Sequence, residues 1–325
     1  MRALVTGGNG FIGSHLVNAL LVRDWEVVIL DRGDSPLYST PRGVTFIKEE
    51  LGNRGALRKA LKNVDIVFHL AWSGVHQSSN QDLRGHVEVN LLPTLGLFDL
   101  CVEAGVRRII FVSSGGTVYG KATSLPIAED HPKNPICAYG VTKLAAENYL
   151  QLYGYLHGLD YIILRPSVAY GERQNPNGIQ GAVAVFMGRA LRGEPIVRWG
   201  NGTTVRDFFY VGDLVEACLL SASVQEGRQI YNIGGGLGVT LHDLVEMVRE
   251  LSGIEVALRY EPERLFDVPE LVMDISRAAS GLGWKPRTSL TCGLLRTWKW
   301  IKSTYKSDKS EESDENVPYS VQCMG

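Results

Sequence analysis

The stretch Val5-Thr6-Gly7-Gly8-Asn9-Gly10-Phe11-Ile12-Gly13-Ser14-His15-Leu16 decides the fold of this chain. Ala3-Leu4-Val5 is a short apolar run typical of a buried strand, and an amphipathic helix pattern follows the glycines. Glycines allow a tight turn and a close approach of the backbone to a ligand. The sequence therefore predicts a strand, a glycine-rich turn, and a helix whose first N–H groups bind an anion.

Further apolar runs predict four more strands of the same kind, at 27–30, 66–68, 109–112 and 161–164. Continuous apolar strands of this type are buried on both faces, which indicates a parallel sheet wrapped by helices. We expect a Rossmann-type, doubly wound α/β domain over residues 1–165. A smaller, mixed α/β substrate lobe is expected over 166–302, and a polar, disordered tail over 303–325.

Composition restricts the function classes. The chain has 325 residues, of which 45% are hydrophobic and 21% charged, with a net charge of −2. Without a broad basic field, nucleic acid is not an expected partner. No apolar run reaches the roughly 20 residues that span a bilayer, so we expect no membrane segment and a cytoplasmic location. Histidine and cysteine spacings suggest no metal site.

The glycine turn has the setting of a dinucleotide site because Asp31 follows at the end of the second strand. Asp31 is placed to accept hydrogen bonds from a ribose and would repel a 2′-phosphate, which favours NAD over NADP. Arg32 is either a ligand for such a phosphate or a solvated loop residue. Glu50 and Leu51 either flank the adenine or belong to a solvated loop. The residues expected to hold the pyrophosphate are Gly7, Gly10, Phe11, Ile12 and Gly13.

Tyr139 and Lys143 are one helical turn apart in Tyr-Gly-Val-Thr-Lys and are expected to meet at one substrate. A phenol has a pKa of about 10, but a nearby ammonium and a positively charged nicotinamide lower it. Tyr139 is then able to take a proton from a substrate hydroxyl. The same spacing occurs on ordinary surface helices. The pair is interpreted as catalytic because the cofactor turn lies upstream.

Ordered matches up to about residue 301 resemble the extended short-chain dehydrogenase/reductase family, and within it the nucleotide-sugar epimerases of the UDP-glucose 4-epimerase type. The matching segments are the glycine turn with Asp31, His69-Leu70-Ala71, Val89-Asn90, Ser113 to Gly120, Tyr139 with Lys143, Leu164-Arg165-Pro166, Val205-Arg206-Asp207, and Arg264 with Asp267.

The resemblance implies roles for these positions. Arg206 and Arg264 would clamp the nucleotide diphosphate, for which guanidinium groups are well suited, and Asp267 would hold the nucleotide ribose. A salt bridge to Asp207 is the structural alternative for Arg206. The residues that would line NAD, besides Tyr139 and Lys143, are Leu70, Ala71, Asn90, Ser113 and Pro166.

Several positions depart from the family pattern. Dehydratases carry an acidic pair where this chain has Gly116 and Thr117, so a dehydratase of that mechanism is rejected. Epimerases usually carry a Ser or Thr where this chain has Gly115. Ser114 or Thr117 is expected to replace that hydroxyl, unless water does or Tyr139 reaches the substrate oxygen directly.

Two departures concern the sugar itself. Val168 stands where many members have an Asn that contacts the diphosphate or sugar. Leu271 is the position that sets room for a 2-acetamido group, and a leucine leaves intermediate space. The type of sugar therefore stays open.

The resemblance implies an NAD-dependent 4-epimerase that acts on a nucleotide sugar, with UDP the expected nucleotide, through a transient 4-keto intermediate. A 4-ketosugar reductase or another NAD(P)-linked sugar dehydrogenase is the main alternative, and a nonenzymatic dinucleotide sensor is a third. Family members also imply a homodimer and a role in polysaccharide biosynthesis.

Overall fold

The computed structural model describes residues 1–74, 76–200, 202–262 and 268–305. The strands are β1 (Arg2–Thr6), β2 (Glu26–Asp31), β3 (Thr45–Lys48), β4 (Ile66–His69), β5 (Arg108–Val112), β6 (Asp160–Pro166), β7 (Val168–Tyr170), β8 (Ile196–Trp199), β9 (Val205–Arg206), β10 (Phe208–Tyr210), β11 (Gln229–Ile233), β12 (Val239–Thr240) and β13 (Leu258–Glu261).

The helices are α1 (Phe11–Leu21), α2 (Arg54–Ala60), α3 (His76–Ser79), α4 (Leu83–His86), a π-helical turn (Val87–Leu91), α5 (Leu92–Glu103), α6 (Gly115–Val118), α7 (Ala138–His157), α8 (Ala182–Arg192), α9 (Val211–Ser223), α10 (Leu241–Ser252), α11 (Ser276–Gly281) and α12 (Leu290–Tyr305).

Seven strands form one parallel sheet in the order β11-β6-β5-β4-β1-β2-β3. Helices α1, α9 and α11 pack on one face, and α2, α5 and α7 cover the other. The strand side chains are buried on both faces, as the continuous apolar runs predicted. The doubly wound α/β fold predicted from the sequence is confirmed.

The substrate lobe has its own core, formed chiefly by α8, α10 and α12 with apolar side chains such as Phe186, Met187 and Trp298. The chain nevertheless returns to the large sheet after residue 165, because β11 pairs with β6 and α9 covers it. A cut at residue 165 therefore separates six strands of the sheet from the seventh. Helix α12 continues to Tyr305, three residues into the predicted tail, and residues 306–325 lie outside the described part.

Within the described ranges, no helix is long and apolar enough to cross a membrane. The same ranges contain no group of three or more His, Cys, Asp or Glu side chains that could hold a metal ion.

Candidate active site

A cleft of about 620 Å³ lies where the carboxyl ends of the sheet strands meet the substrate lobe. Its position follows from the parallel sheet, because turns and loops after the strands converge at that edge. Predicted site residues that line it are Gly7, Gly10, Phe11, Ile12, Gly13, Leu70, Ser113, Ser114, Thr117, Tyr139, Lys143, Pro166, Val168, Arg206 and Leu271.

The glycine turn forms a cradle that side chains would fill. Gly7 has a φ of +73°, and a Cβ there would lie 2.8 Å from the backbone nitrogen of Ala71. A Cβ at Gly13 would lie only 2.1 Å from the carbonyl oxygen of Gly7. Gly10 caps α1 without a side-chain hydrogen bond to the helix. The N–H groups of the first turn therefore border the cleft and fit a pyrophosphate.

Asp31 ends β2 beside this turn, and one of its carboxylate oxygens accepts a hydrogen bond from the Asn9 backbone N–H at 3.0 Å. Burial raises the pKa of Asp31 above its usual value. The exposed Arg32 donates to the Ser73 hydroxyl at 3.4 Å. Asp31 is therefore fixed against the cofactor turn, as a ribose ligand must be.

Six predicted cofactor residues, Asp31 and Arg32 among them, do not line the cleft. Glu50 is exposed, and Leu51 packs against the core under α2 and α5. The Ala71 backbone N–H donates to the Thr6 hydroxyl at 3.3 Å. Asn90, in the π-helical turn, is buried and uses its amide on the backbone of Ser73 and His86. Asn90 therefore fixes the loop after β4 instead of lining the cleft.

Tyr139 and Lys143 lie on the first turns of α7, and both face the cleft. The Lys143 ammonium donates to the Val112 carbonyl oxygen at 2.7 Å. It also lies 4.0 Å from the centre of the Trp72 ring. Burial lowers the pKa of Lys143 to about 7, and nearby Glu147 opposes this shift.

Burial raises the pKa of Tyr139. Lys143 Nζ is 5.8 Å from the centre of the Tyr139 ring, close enough for its charge to favour the phenolate. A positively charged nicotinamide would act in the same direction. The placement of the pair is compatible with the predicted acid/base role of Tyr139.

The two candidate hydroxyls next to this pair differ. Ser114 is half-buried at the start of α6. Thr117 is 4% exposed, and its Oγ1 has no hydrogen-bond partner among the described residues. Both border the cleft.

Little space is available for a side chain at Gly115. A Cβ at that position would lie 2.5 Å from Met273 Cε and 2.9 Å from the Arg165 carbonyl oxygen. A Cβ at Gly116 would meet Leu271 Cδ2 at 3.4 Å and Ser114 Oγ at 3.9 Å, which are ordinary contacts. The side chain of Met273 therefore occupies the space next to Gly115.

Arg206 borders the cleft in the substrate lobe, and its Nη1 donates to the carbonyl oxygens of Val205 and Val268 at 2.9 and 2.8 Å. Asp207 is fully buried and accepts instead from the backbone N–H groups of Gly235 and Met273, at 2.6 and 3.1 Å. The hydrogen bonds named here for the two side chains are thus made to the backbone and not to each other. Val168 and Leu271 add an apolar wall, while Arg264 and Asp267 lie outside the described residues.

Among the residues in or next to the cleft that sequence reasoning missed are Trp72 and Met273. Trp72 directly follows His69-Leu70-Ala71, so its position after β4 was a usable signal. Met273 reaches Gly115 from a distant part of the chain, and no local pattern indicates that contact.

Comparison with known proteins identifies the family. Residues 3–234 match the NAD dependent epimerase/dehydratase family. A putative UDP-glucose 4-epimerase of Methanocaldococcus jannaschii is 34% identical, over 94% of this chain and 99% of that protein. The chain belongs to the NAD-dependent epimerase/dehydratase family.

Solved structures of UDP-glucose 4-epimerases agree with this assignment. The Thermotoga maritima protein, with UDP-glucose, has a TM-score of 0.90 and 34% identity over 94% of this chain and 99% of its own. The Thermus thermophilus protein, in complex with NAD, has a TM-score of 0.87 and 35% identity over 94% and 100%. The predictions of an enzyme of this epimerase family and of NAD as its cofactor are confirmed.

Proposed function

We propose that this NAD-dependent epimerase-family protein interconverts the C4 epimers of a nucleotide sugar, with UDP as the nucleotide. The observation that carries the proposal is the placement of Tyr139 and Lys143 in one cleft with the glycine cradle and Arg206. Full-length similarity to UDP-glucose 4-epimerases supports the same reaction.

In this reaction Tyr139 takes the proton of the sugar 4-hydroxyl and later returns it. Lys143 supplies the positive charge that favours the phenolate, since its ammonium is held at the end of β5. NAD, when bound, would supply a reversible acceptor for the C4 hydride. Asp31 and the N–H groups at the start of α1 would hold its ribose and pyrophosphate.

The substrate lobe binds the nucleotide and leaves the sugar free to turn. Arg206 presents a guanidinium at the cleft, and guanidinium groups pair well with phosphate oxygens. Val168 and Leu271 face the same space with apolar side chains, which do not fix sugar hydroxyls in one orientation. Diphosphate binding by Arg264 and ribose binding by Asp267 stay predictions from family resemblance.

A 4-ketosugar reductase is the second candidate, and Gly115 favours it. Met273 occupies the space beside Gly115, so this position lacks the hydroxyl with which epimerases usually assist the tyrosine. A reductase delivers hydride once and does not have to take it from a sugar alcohol. The two functions differ in whether reduced cofactor is consumed.

The test is incubation of the purified protein with UDP-hexoses, UDP-N-acetylhexosamines and UDP-hexuronic acids without added reductant, with C4 configuration followed by NMR. Equilibration of a 4-epimer pair without net NADH production is the expected result, and it also identifies the sugar class. Conversion only of a 4-keto sugar, and only with NADH or NADPH, would replace the epimerase by the reductase.

A homodimer is also proposed. Exposed apolar side chains on the π-helical turn, on α5 and on α7 support it. Tyr155 is 84% exposed and Leu156 59% exposed near the end of α7. The other exposed apolar residues of these helices are Val89, Leu92, Val141, Tyr149 and Leu152. A cytoplasmic location and a role in polysaccharide biosynthesis stay predictions.

A further inference from the structure

A buried polar network lies directly behind the catalytic pair. Glu147 and Arg165 have side-chain exposures of 0% and 1%, and Arg165 Nη2 is 2.6 Å from Glu147 Oε2. Arg165 Nε donates to both carboxylate oxygens at 3.1 Å. Its Nη1 donates to the Tyr119 hydroxyl at 2.9 Å and to the Glu129 carbonyl oxygen at 3.1 Å. The guanidinium therefore holds the Glu147 carboxylate in one fixed place.

The Glu147 carboxylate and the Lys143 ammonium both make hydrogen bonds at the end of β5. Tyr139, Lys143 and Glu147 occupy successive turns of α7, so they lie on one face of the helix. The Ser113 hydroxyl donates a short hydrogen bond to Glu147 Oε1. Lys143 donates to Val112, the residue before Ser113. Helix α7 thus binds the end of β5 through both charges.

The contact with Glu147 sets the hydrogen-bonding character of Ser113 in the cleft. A serine hydroxyl has one proton, and Ser113 gives that proton to the Glu147 carboxylate. Only its lone pairs then remain for a ligand. Ser113 therefore acts as an acceptor toward a hydroxyl or amide donor in the cleft.

The other titratable groups that face Lys143 do not replace Glu147. Burial lowers the pKa of His69 to about 3 and also lowers that of His86. Both imidazoles are therefore neutral at neutral and alkaline pH. Tyr139 is the group whose phenolate the Lys143 ammonium would stabilise. Glu147 is the group that favours the ammonium form of Lys143 against the effect of burial.

A purely structural role is a poor explanation for this ion pair. Replacing a buried ion pair by well-packed apolar side chains is often neutral or stabilising, so burial of two charges is not needed for stability. Here the carboxylate also contacts Ser113, which lines the cleft, and lies one turn from Lys143. Its contacts point to the reaction site.

We propose that Glu147, fixed by Arg165, is a positioning residue that keeps Lys143 in its ammonium form and fixes the Ser113 hydroxyl as an acceptor in the cleft. This inference rests on the proposed function, because Lys143 matters only if Tyr139 exchanges a proton with substrate. It goes beyond that function by assigning an electrostatic role to two residues that lie behind the site.

The test is the pH profile of epimerisation by Glu147→Gln. As the pH rises, Lys143 loses its proton, and removal of the neighbouring carboxylate makes this loss occur at lower pH. We expect the alkaline limb to move down by about one pH unit, which is about tenfold in rate at a fixed pH on that limb. Glu147→Asp, which keeps the charge, should return the limb toward its original position.

Glu129→Gln is the matched control. Glu129 is a buried carboxylate of the same network: its Oε1 accepts from the Asn232 N–H at 2.8 Å, and the Asn232 side chain accepts from the Tyr119 hydroxyl that Arg165 contacts. Its described side-chain hydrogen bonds involve neither Lys143 nor Ser113. It should leave the limb where it is. An equal shift in Glu129→Gln, or no shift in Glu147→Gln, would overturn the proposal.

Two measurements keep this test independent of folding and of the reaction. The double variant Glu147→Leu/Arg165→Met removes both charges with apolar side chains and is expected to fold. Titration of the Lys143 ¹³Cε NMR signal should show a lower midpoint in Glu147→Gln and a smaller shift in the same direction in the double variant. An unchanged midpoint in both variants contradicts the proposal. If the wild type epimerises no sugar, the proposed function fails, while this titration still decides the role of Glu147.

Discussion

The cofactor side and the sugar side of the cleft are assembled from different kinds of contact. The cofactor side uses continuous stretches, namely residues 7–13 after β1 and Tyr139 with Lys143 on α7. The sugar side joins distant segments, because Met273 covers Gly115 and the carbonyl of Val268 holds Arg206. The common chemistry is encoded locally, whereas the shape of the sugar pocket depends on tertiary packing.

This difference implies that the two sides respond differently to substitution. A change on the cofactor side acts on backbone groups that are tightly fixed, as the 2.1 Å distance at Gly13 shows. A change on the sugar side meets the ends of side chains such as those of Met273 and Leu271, together with the Arg165 carbonyl oxygen beside Gly115. Variants on each side therefore separate cofactor retention from substrate turnover.

The largest effect is expected for Tyr139→Phe, at the junction of the two sides. Loss of the phenolic hydroxyl removes the acid/base group, and such groups contribute about 10²–10⁴-fold in rate. We expect turnover to fall by about that factor, while NAD content and UDP binding stay near wild type. Steady-state rates and calorimetric binding measure these quantities.

Phenylalanine keeps the ring that packs between Trp72 and His86, so the fold should be retained. A Tyr139→Phe enzyme with more than a tenth of wild-type turnover would show that another group exchanges the proton. Thr117 would then be the first candidate, because its buried hydroxyl borders the cleft.

The next effect is expected for Gly13→Ala, on the cofactor side. The new Cβ would press on the Gly7 carbonyl and the Gly8 Cα, both backbone atoms, so the turn has to move. Overpacking of this kind costs about 1–3 kcal/mol. We expect NAD affinity to fall roughly tenfold or more, with UDP affinity nearly unchanged, as measured by calorimetry on the cofactor-free protein.

Gly33→Ala is a suitable control for that variant. It lies in the loop after β2 on the same side, and no atom is within 4 Å of its Cβ position. NAD affinity should be unchanged in this variant. Equal losses in Gly13→Ala and Gly33→Ala would mean that the glycine cradle is not the cofactor site.

The sequence predicted the sheet and the cofactor side well because both depend on local patterns. Apolar runs gave the first strands, and the spacing of Gly7, Gly10 and Gly13 indicated the turn before α1. A family match does not show which way an amide points, and the role of Asn90 toward NAD stays a prediction. Its side chain is used by the backbone of the loop after β4.

The features that the sequence did not predict depend on contacts between distant segments of the chain. Nothing near Gly115 in the sequence indicates Met273, and nothing near Arg165 shows that Glu147 binds it in a bidentate manner. The same applies to β11, which joins the sheet after a long excursion through the substrate lobe. Such contacts follow from packing, which local periodicity does not report.

The smallest effect, and the sharpest test of the sugar side, is the pair Gly115→Ser and Gly116→Ser. A side chain at Gly115 collides with Met273 and with the Arg165 carbonyl, whereas one at Gly116 makes an ordinary contact with Leu271. We expect Gly115→Ser to lower the free energy of unfolding by about 1–3 kcal/mol without a large gain in turnover. Gly116→Ser should change it by less than about 0.5 kcal/mol.

Met273→Ala added to Gly115→Ser distinguishes packing from chemistry. The second substitution removes the side chain that occupies the space, although the Arg165 carbonyl remains 2.9 Å from the new Cβ. Chemical denaturation should show partial recovery relative to the two single variants, because the residues share one space. If Gly115→Ser alone raises turnover strongly on the same substrate, the pocket accommodates a hydroxyl at this position. Met273 then does not exclude a side chain there. The sugar side would then be as locally encoded as the cofactor side.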